Sequence, residues 1–200
     1  MTGGEAGKRS GGKKGAGAAP KGTARRASLP AQTRVPRAPL RPTIRVGMGY
    51  DSHRFVLGRP LVLGGHTIPH DRGLAGHSDA DAVTHALIDA ILGAAGAGNI
   101  GLLFPDSDPQ WKDADSLGLL RSAYGLVQGR GFRLAQADIT IIAEQPKLGR
   151  HLPAMSRKLA RLLGVAERDM SIKAKTNEGM GFIGREEGLA VLAAVTLEAR

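Results

Sequence analysis

Residues 77–95 read HSDADAVTHALIDAILGAA, and the fold turns on how this stretch is taken. Before it the chain reads as extended segments, whereas from Ser78 the apolar residues fall into a helical period. SDAD fits a capping box, with Ser78 as N-cap and Asp81 at the third helical position, and the run stops at the glycine-rich GAAGAG, residues 93–98. Upstream, TIRVGMGY (43–50) reads as a first strand and PLVLGGHTIP (60–69) as a hairpin around Gly64-Gly65. Downstream come a polar loop, FPDSDPQWKDAD (104–115), and a second amphipathic helix, DSLGLLRSAYGLVQGRG (115–131). A strand (132–144), a third helix (151–164) and a strand (169–176) follow, and GLAVLAAVTLEA (188–199) reads as a last strand or a buried helix. Helices and strands interleave without a regular βα repeat. The economical layering is α+β, with helices packed on one face of a mixed β-sheet.

Charge divides the chain. Residues 1–44 hold ten Lys or Arg against the single acid Glu5, so nearly all of the net charge of +10 lies there. That segment has no aromatic residue and no apolar period, and it reads as a disordered basic tail ahead of a domain spanning 45–200. Three roles fit it: an inert extension, an arm for nucleic acid or anionic surfaces, and a plastid transit peptide. Its low serine content favours a cytoplasmic protein over an imported precursor. No run of about 18 apolar residues suggests a membrane span. With no cysteine in the chain, disulfides and thiolate metal sites are excluded, which leaves His and carboxylates as candidate ligands.

Asp51 and His53 stand two apart in an extended segment and so project to one side. Asp81, His85 and Asp89 are spaced at four and line one helix face. If strand end and helix face meet, Asp51, His53 and His85 form a three-ligand set with a position open, the pattern of a catalytic zinc. Asp89 would then hydrogen-bond His85 or a neighbouring histidine and fix its tautomer. The competing reading is plain: D-x-H is a short pattern, Asp81 is explained as a cap, and a helical His is commonly structural. Further on, KAKTNEGMGFIGREEG (173–188) gathers Lys173, Lys175, Thr176, Glu178 and Arg185 among glycines. Such a segment suits phosphate oxygens, with Glu178 suited to a divalent ion, or it is a glycine-rich hairpin with solvated charges.

Taken together, GYDSHRF (49–55), residues 76–109, ITIIAEQPKL (139–148) and IKAKTNEGMGFIGREEG (172–188) resemble the 2-C-methyl-D-erythritol 2,4-cyclodiphosphate synthases of the non-mevalonate isoprenoid pathway. The resemblance runs in order from about Arg45 to Arg200. It implies a homotrimer with active sites between subunits, and a reaction that closes 4-diphosphocytidyl-2-C-methyl-D-erythritol 2-phosphate to the cyclic diphosphate with release of CMP. It implies zinc on Asp51, His53 and His85, and Mg²⁺ or Mn²⁺ on Glu178. His77 and Ser78 match the pair beside the attacking phosphate, and Thr176 matches the hydroxyl at the diphosphate, so His77 and Thr176 are expected to stabilise developing charge. Asp89 joins the expected substrate-binding set.

Asn99, Ile100 and Gly101 match the ribose-binding turn, and Phe104, Asp106 and Asp108 the mobile loop over the methylerythritol part. Ala143, Pro146, Lys147 and Leu148 match the cytosine pocket, which uses mainly main-chain groups. Phe182 and Arg185 match the pair at the trimer's central channel, where some members bind an isoprenoid diphosphate. Three positions depart from the family pattern: Asn99 stands where a carboxylate is usual, and Lys175 and Asn177 replace threonines. Asn99 can still accept from one ribose hydroxyl, without the strength that a charge lends.

Two other functions compete. A nucleic-acid binder is disfavoured because the body is nearly neutral and aromatics are only 4 % of residues, leaving few stacking platforms. A zinc hydrolase with the same ligands would give linear products. Related bifunctional proteins place a cytidylyltransferase domain ahead of this one, and residues 1–44 are too few to hold it, so a single activity is expected.

Overall fold

The computed structural model describes residues 44–112 and 114–200. The tail's expected role lies outside them, except that Ile44 already belongs to the first strand. Strand β1 (Ile44–Leu57) is the spine of the sheet. It is flanked by the short β4 (Arg72–Leu74) and by β7 (Gly188–Ala199), pairing with β7 from Ile44 opposite Glu198 to Arg54 opposite Gly188. β7 pairs in turn with β5 (Phe132–Ile142), and β5 with β6 (Met170–Lys175), giving the order β4-β1-β7-β5-β6. β5 and β6 run parallel and the other pairs antiparallel, so the sheet is mixed as expected. β2 (Leu61–Leu63) and β3 (His66–Ile68) form the hairpin around Gly64-Gly65. The segment 188–199 is a strand: Leu189, Val191, Ala193, Val195 and Leu197 alternate inward and are buried, and β1 and β5 take up its ladder on both sides.

Helices α1 (Ala82–Ala94), α3 (Ser116–Gly129) and α4 (Leu152–Leu163) pack on one face. Two single-turn helices, α2 (Ile100–Leu103) and α5 (Gly181–Gly184), mark loops. The core between the layers includes Leu87, Ile91, Leu120, Ile139, Ile141 and Met155, each fully buried. Two glycines set how closely α1 lies on β1. A Cβ on Gly47 would come within 2.0 Å of the Ala90 carbonyl oxygen, and one on Gly49 within 2.0 Å of that of Ala86. Only a bare backbone at both positions lets helix and strand meet at this distance.

The opposite face of β1 is unlike its inner face. Ile44, Val46, Met48 and Tyr50 alternate outward there and are 55–72 % exposed, with Leu192 of β7 opposite Tyr50.

Helix α1 begins later than its capping box suggests. Asp81 is the N-cap, not Ser78, and the helix opens at Ala82. The reason is a competing set of donors: Asp81 Oδ1 accepts from Thr84 N–H at 3.0 Å and Gly64 N–H at 2.8 Å, and Oδ2 from the Thr84 hydroxyl at 2.7 Å and Gly65 N–H at 2.6 Å. One carboxylate therefore caps α1 and fastens the β2–β3 hairpin to it. Its complete burial raises its pKa, against the pull of these four donors.

Candidate active site

Asp51 and His53 continue the inner face of β1 beyond Gly47 and Gly49, so the seam that admits α1 also delivers His85 to them. His85 Nδ1 lies 3.2 Å from Asp51 Oδ2, and His53 Nδ1 lies 3.0 Å from the same oxygen. One ligand atom from each residue falls within 4.8 Å of the others, close enough for a single ion. Nδ1 of His53 is buried and has no hydrogen-bond partner, so its approach to Asp51 lacks hydrogen-bond geometry. A buried imidazole nitrogen without a donor or acceptor, aimed at a shared carboxylate, fits a metal ligand.

Charge is arranged to match. Burial pushes the Asp51 carboxyl up, but the two histidines outweigh it and bring its pKa down to about 2. Burial likewise disfavours charge on His85, yet Asp51, with Asp81 and Asp79 behind it, raises its pKa above the ordinary value of 6.5. On the far side of the ring, His85 Nε2 meets Ser116 Oγ at 2.9 Å and Ser78 Oγ at 3.1 Å. Asp79 Oδ2 accepts from Ser116 N–H at 3.1 Å, and its Oδ1 accepts from the Ser116 hydroxyl. Asp79 and Ser116 were not among the expected site residues. Their spacing of 37 residues leaves no local pattern to find, although Asp79 lies inside the HSD run.

Asp89 does not touch His85 in the way its spacing suggests. Its Oδ1 accepts from Ile100 N–H at 2.7 Å, holding the start of α2 against α1. An unpaired backbone donor at a helix start is the stronger claimant. Partial burial and the nearby Asp51 charge raise the Asp89 pKa, the Ile100 bond and His85 pulling the other way.

In front of the triad is a cavity of about 380 Å³ lined by His53, His77, Ser78, His85, Ile100, Gly101, Phe104, Asp106 and Trp111 among others. Asp108 is not in its lining: it caps the short 3-10 turn Pro109–Trp111, accepting from Gln110 N–H at 3.1 Å. Asn99 caps α2, its Oδ1 accepting from Leu102 N–H at 3.0 Å. Arg59, also absent from the expected set, donates to the carbonyls of Gly76 and Ser78 and so braces the loop that carries His77.

The remaining expected residues form a second group. Ala143, Pro146, Lys147 and Leu148 line a cavity of about 220 Å³ with Lys175 and Thr176. The Thr176 hydroxyl donates to Glu178 Oε1 at 2.7 Å, and the Asn177 amide donates to the Met180 carbonyl at 2.8 Å. Two cations of this segment are engaged elsewhere: Lys173 pairs with Asp138 on the outer face of the sheet, and Arg185 with Glu187 at 2.6 Å. Phe182 beside it is 40 % exposed. The two cavities share no lining residue. Asp51 is level with Val191, Val191 with Ile141, and Ile141 with Ala174, so both groups sit at one end of the sheet. Three strand spacings separate them, about 14 Å.

Residues 44–198 match the model of the YgbB family. The chain is 56 % identical over 155 residues to the 2-C-methyl-D-erythritol 2,4-cyclodiphosphate synthase of Symbiobacterium thermophilum, covering 78 % of this chain and 99 % of that protein. The synthase of Moorella thermoacetica is also 56 % identical, over 77 % of this chain and 94 % of its own. A solved structure of the synthase in its CDP-bound form is 44 % identical with a TM-score of 0.71, covering 76 % of this chain and 99 % of that one. The bifunctional IspDF of Campylobacter jejuni is 46 % identical with a TM-score of 0.78, covering 80 % of this chain but only 43 % of that longer one.

Proposed function

We infer the reaction from the premise that this chain belongs to the YgbB family, the 2-C-methyl-D-erythritol 2,4-cyclodiphosphate synthases, which are lyases. The proposed substrate is 4-diphosphocytidyl-2-C-methyl-D-erythritol 2-phosphate. An oxygen of its 2-phosphate attacks the β-phosphorus, the bond from that phosphorus to the bridging oxygen breaks, and the electron pair leaves with CMP. The other product is the cyclic diphosphate. The observation that carries this reading is the Asp51, His53 and His85 triad opening on a cavity with His77, Ser78 and Asp106 in its wall.

Asp51, His53 and His85 would hold zinc, and Glu178 would hold Mg²⁺ or Mn²⁺. Cations held there would neutralise phosphate oxygens that otherwise repel one another. The chain's own groups do the rest. Arg59 fixes the His77 loop, so that His77 and Ser78 meet the attacking phosphate from a braced backbone. Asp106 faces the same cavity and takes a hydroxyl of the methylerythritol part. Thr176 offers its hydroxyl to the diphosphate as charge develops, while Lys147 and Leu148 wall the cytosine. In-line displacement needs positioning more than covalent chemistry, and no protein nucleophile is required.

A complete site calls for a partner copy. The two cavities are separate within one chain, and the outward row Ile44, Val46, Met48 and Tyr50 offers apolar surface to cover. Both support a homotrimer in which the triad side of one copy faces the base side of the next, with Asn99, Ile100 and Gly101 reaching the neighbour's ribose. Phe182 and Arg185 would then face the central channel, where an isoprenoid diphosphate is the expected guest. Among the described residues no helix is long and apolar enough to cross a membrane. Product analysis tests the reading: cyclic diphosphate and CMP support it, whereas linear products indicate a zinc hydrolase.

A further inference from the structure

We propose that Glu144 is a positioning residue that couples the base cavity to the turn bearing Thr176 and Glu178, an inference that rests on the synthase reading above. Glu144 follows β5 and stands between Ala143 and the Pro146–Gly149 wall of the base cavity. Its side chain leaves that wall and reaches the next segment, where Oε1 accepts from Asn177 N–H at 2.9 Å and from Gly179 N–H at 3.1 Å. These two amides flank Glu178.

Glu178 has a φ of +52°, in the left-handed region that a non-glycine residue holds only when its surroundings fix it. Several contacts do so. Asn177 closes the turn through the Met180 carbonyl, the Thr176 hydroxyl binds Glu178 Oε1, and Gly184 packs so tightly that a Cβ there would fall 1.9 Å from the Gly179 carbonyl carbon. Those contacts all come from within residues 176–184. Glu144 alone among these named groups enters from another segment, the one that grips the base.

The consequence is directional. Ala143 and Leu148, on either side of Glu144, wall the base, so the segment that seats the base also carries the carboxylate that holds the amides flanking Glu178. Removing the carboxylate frees two N–H groups and lets Glu178 relax out of the left-handed region. Base contacts remain, and the benefit that a divalent ion adds to nucleotide binding is lost.

Calorimetric titration of the full-length zinc-loaded protein with CDP, with and without Mn²⁺, tests this. In Glu144→Ala the Mn²⁺-dependent gain in CDP affinity should fall about tenfold, with affinity in the absence of Mn²⁺ changed less than about twofold. Glu144→Gln keeps an acceptor oxygen and should restore most of the gain, whereas the shorter Glu144→Asp should not. Amide exchange at Asn177 and Gly179 should quicken in the Ala and Asp variants and not in Gln. An Ala variant with the wild-type Mn²⁺ gain overturns the proposal, as does one that loses affinity equally with and without Mn²⁺. A wild-type protein that binds no CDP contradicts the synthase reading itself, and the proposal falls with it before any variant is compared.

Discussion

Asp51 Oδ2 is shared by two histidines, standing 3.2 Å from His85 Nδ1 and 3.0 Å from His53 Nδ1, across the seam where α1 rests on β1. The shared carboxylate makes a proton on His85 and a metal at the triad direct competitors. With the His85 pKa raised above 6.5, the pairing with Asp51 stabilises the metal-free fold fully below 6.5 and is lost as pH rises through the raised value. The depressed Asp51 pKa acts at the other end: its contribution is present above the ordinary carboxylate range and is lost only as pH falls through about 2.

Zinc should therefore stabilise the protein increasingly with pH. Melting curves of chelator-treated and zinc-loaded protein should diverge between about pH 6 and 8, as the metal-free fold loses its ion pair and the ligands deprotonate. A difference in Tm that stays flat or narrows with pH would contradict this electrostatic account.

The seam itself is open to test through Gly49. A methyl group there meets the Ala86 carbonyl at 2.0 Å, and both partners are backbone in regular structure. Gly49→Ala should cost about 3 kcal/mol in urea unfolding and weaken zinc retention together, because the helix must retreat from Asp51. A variant of unchanged stability and zinc content would show that α1 is positioned by other contacts.

Much of this arrangement was legible in the sequence, and the failures have definite causes. Asp51, His53 and His85 came from two periodicities, two along a strand and four along a helix, and the backbone obeys both. Helix α1 starts three residues beyond its capping pattern because Asp81 also serves Gly64 and Gly65, a demand from a hairpin 16 and 17 residues away that no capping pattern contains. Asp89 sat on the right helix face but was claimed by the Ile100 amide. Lys173 stands in a one-dimensional cluster that suits phosphate, but its ammonium pairs with Asp138 on the outer face of the sheet and points away from that cluster. Ser116 and Asp79 were invisible for the converse reason: only the folded loop brings them behind His85.

Asn99 carries a prediction about nucleotide affinity. It already caps α2 through Oδ1, a role that Asp fills equally well, so Asn99→Asp should fold normally. A charge-assisted bond to a ribose hydroxyl should tighten CDP binding about fivefold, roughly 1 kcal/mol, by calorimetry. Looser binding in the variant would remove Asn99 from the ribose site.

If active sites lie between copies, two inactive variants should repair one another. His85→Ala damages the triad cavity and Thr176→Ala the base cavity, and these share no residue. Co-refolded mixtures should recover roughly a quarter of wild-type turnover, from interfaces that join two intact halves, under random assembly. Mixtures as inactive as their parents would place each complete site within one chain.

Phosphorus NMR of the wild-type protein and of His85→Ala, each with the CDP-methylerythritol 2-phosphate substrate, zinc and Mg²⁺, bears most directly on the proposed reaction. The account predicts resonances of a cyclic diphosphate with an equal amount of CMP from the wild type, and unchanged substrate from His85→Ala. Linear phosphates from the wild type, or cyclic product from both proteins, would contradict it.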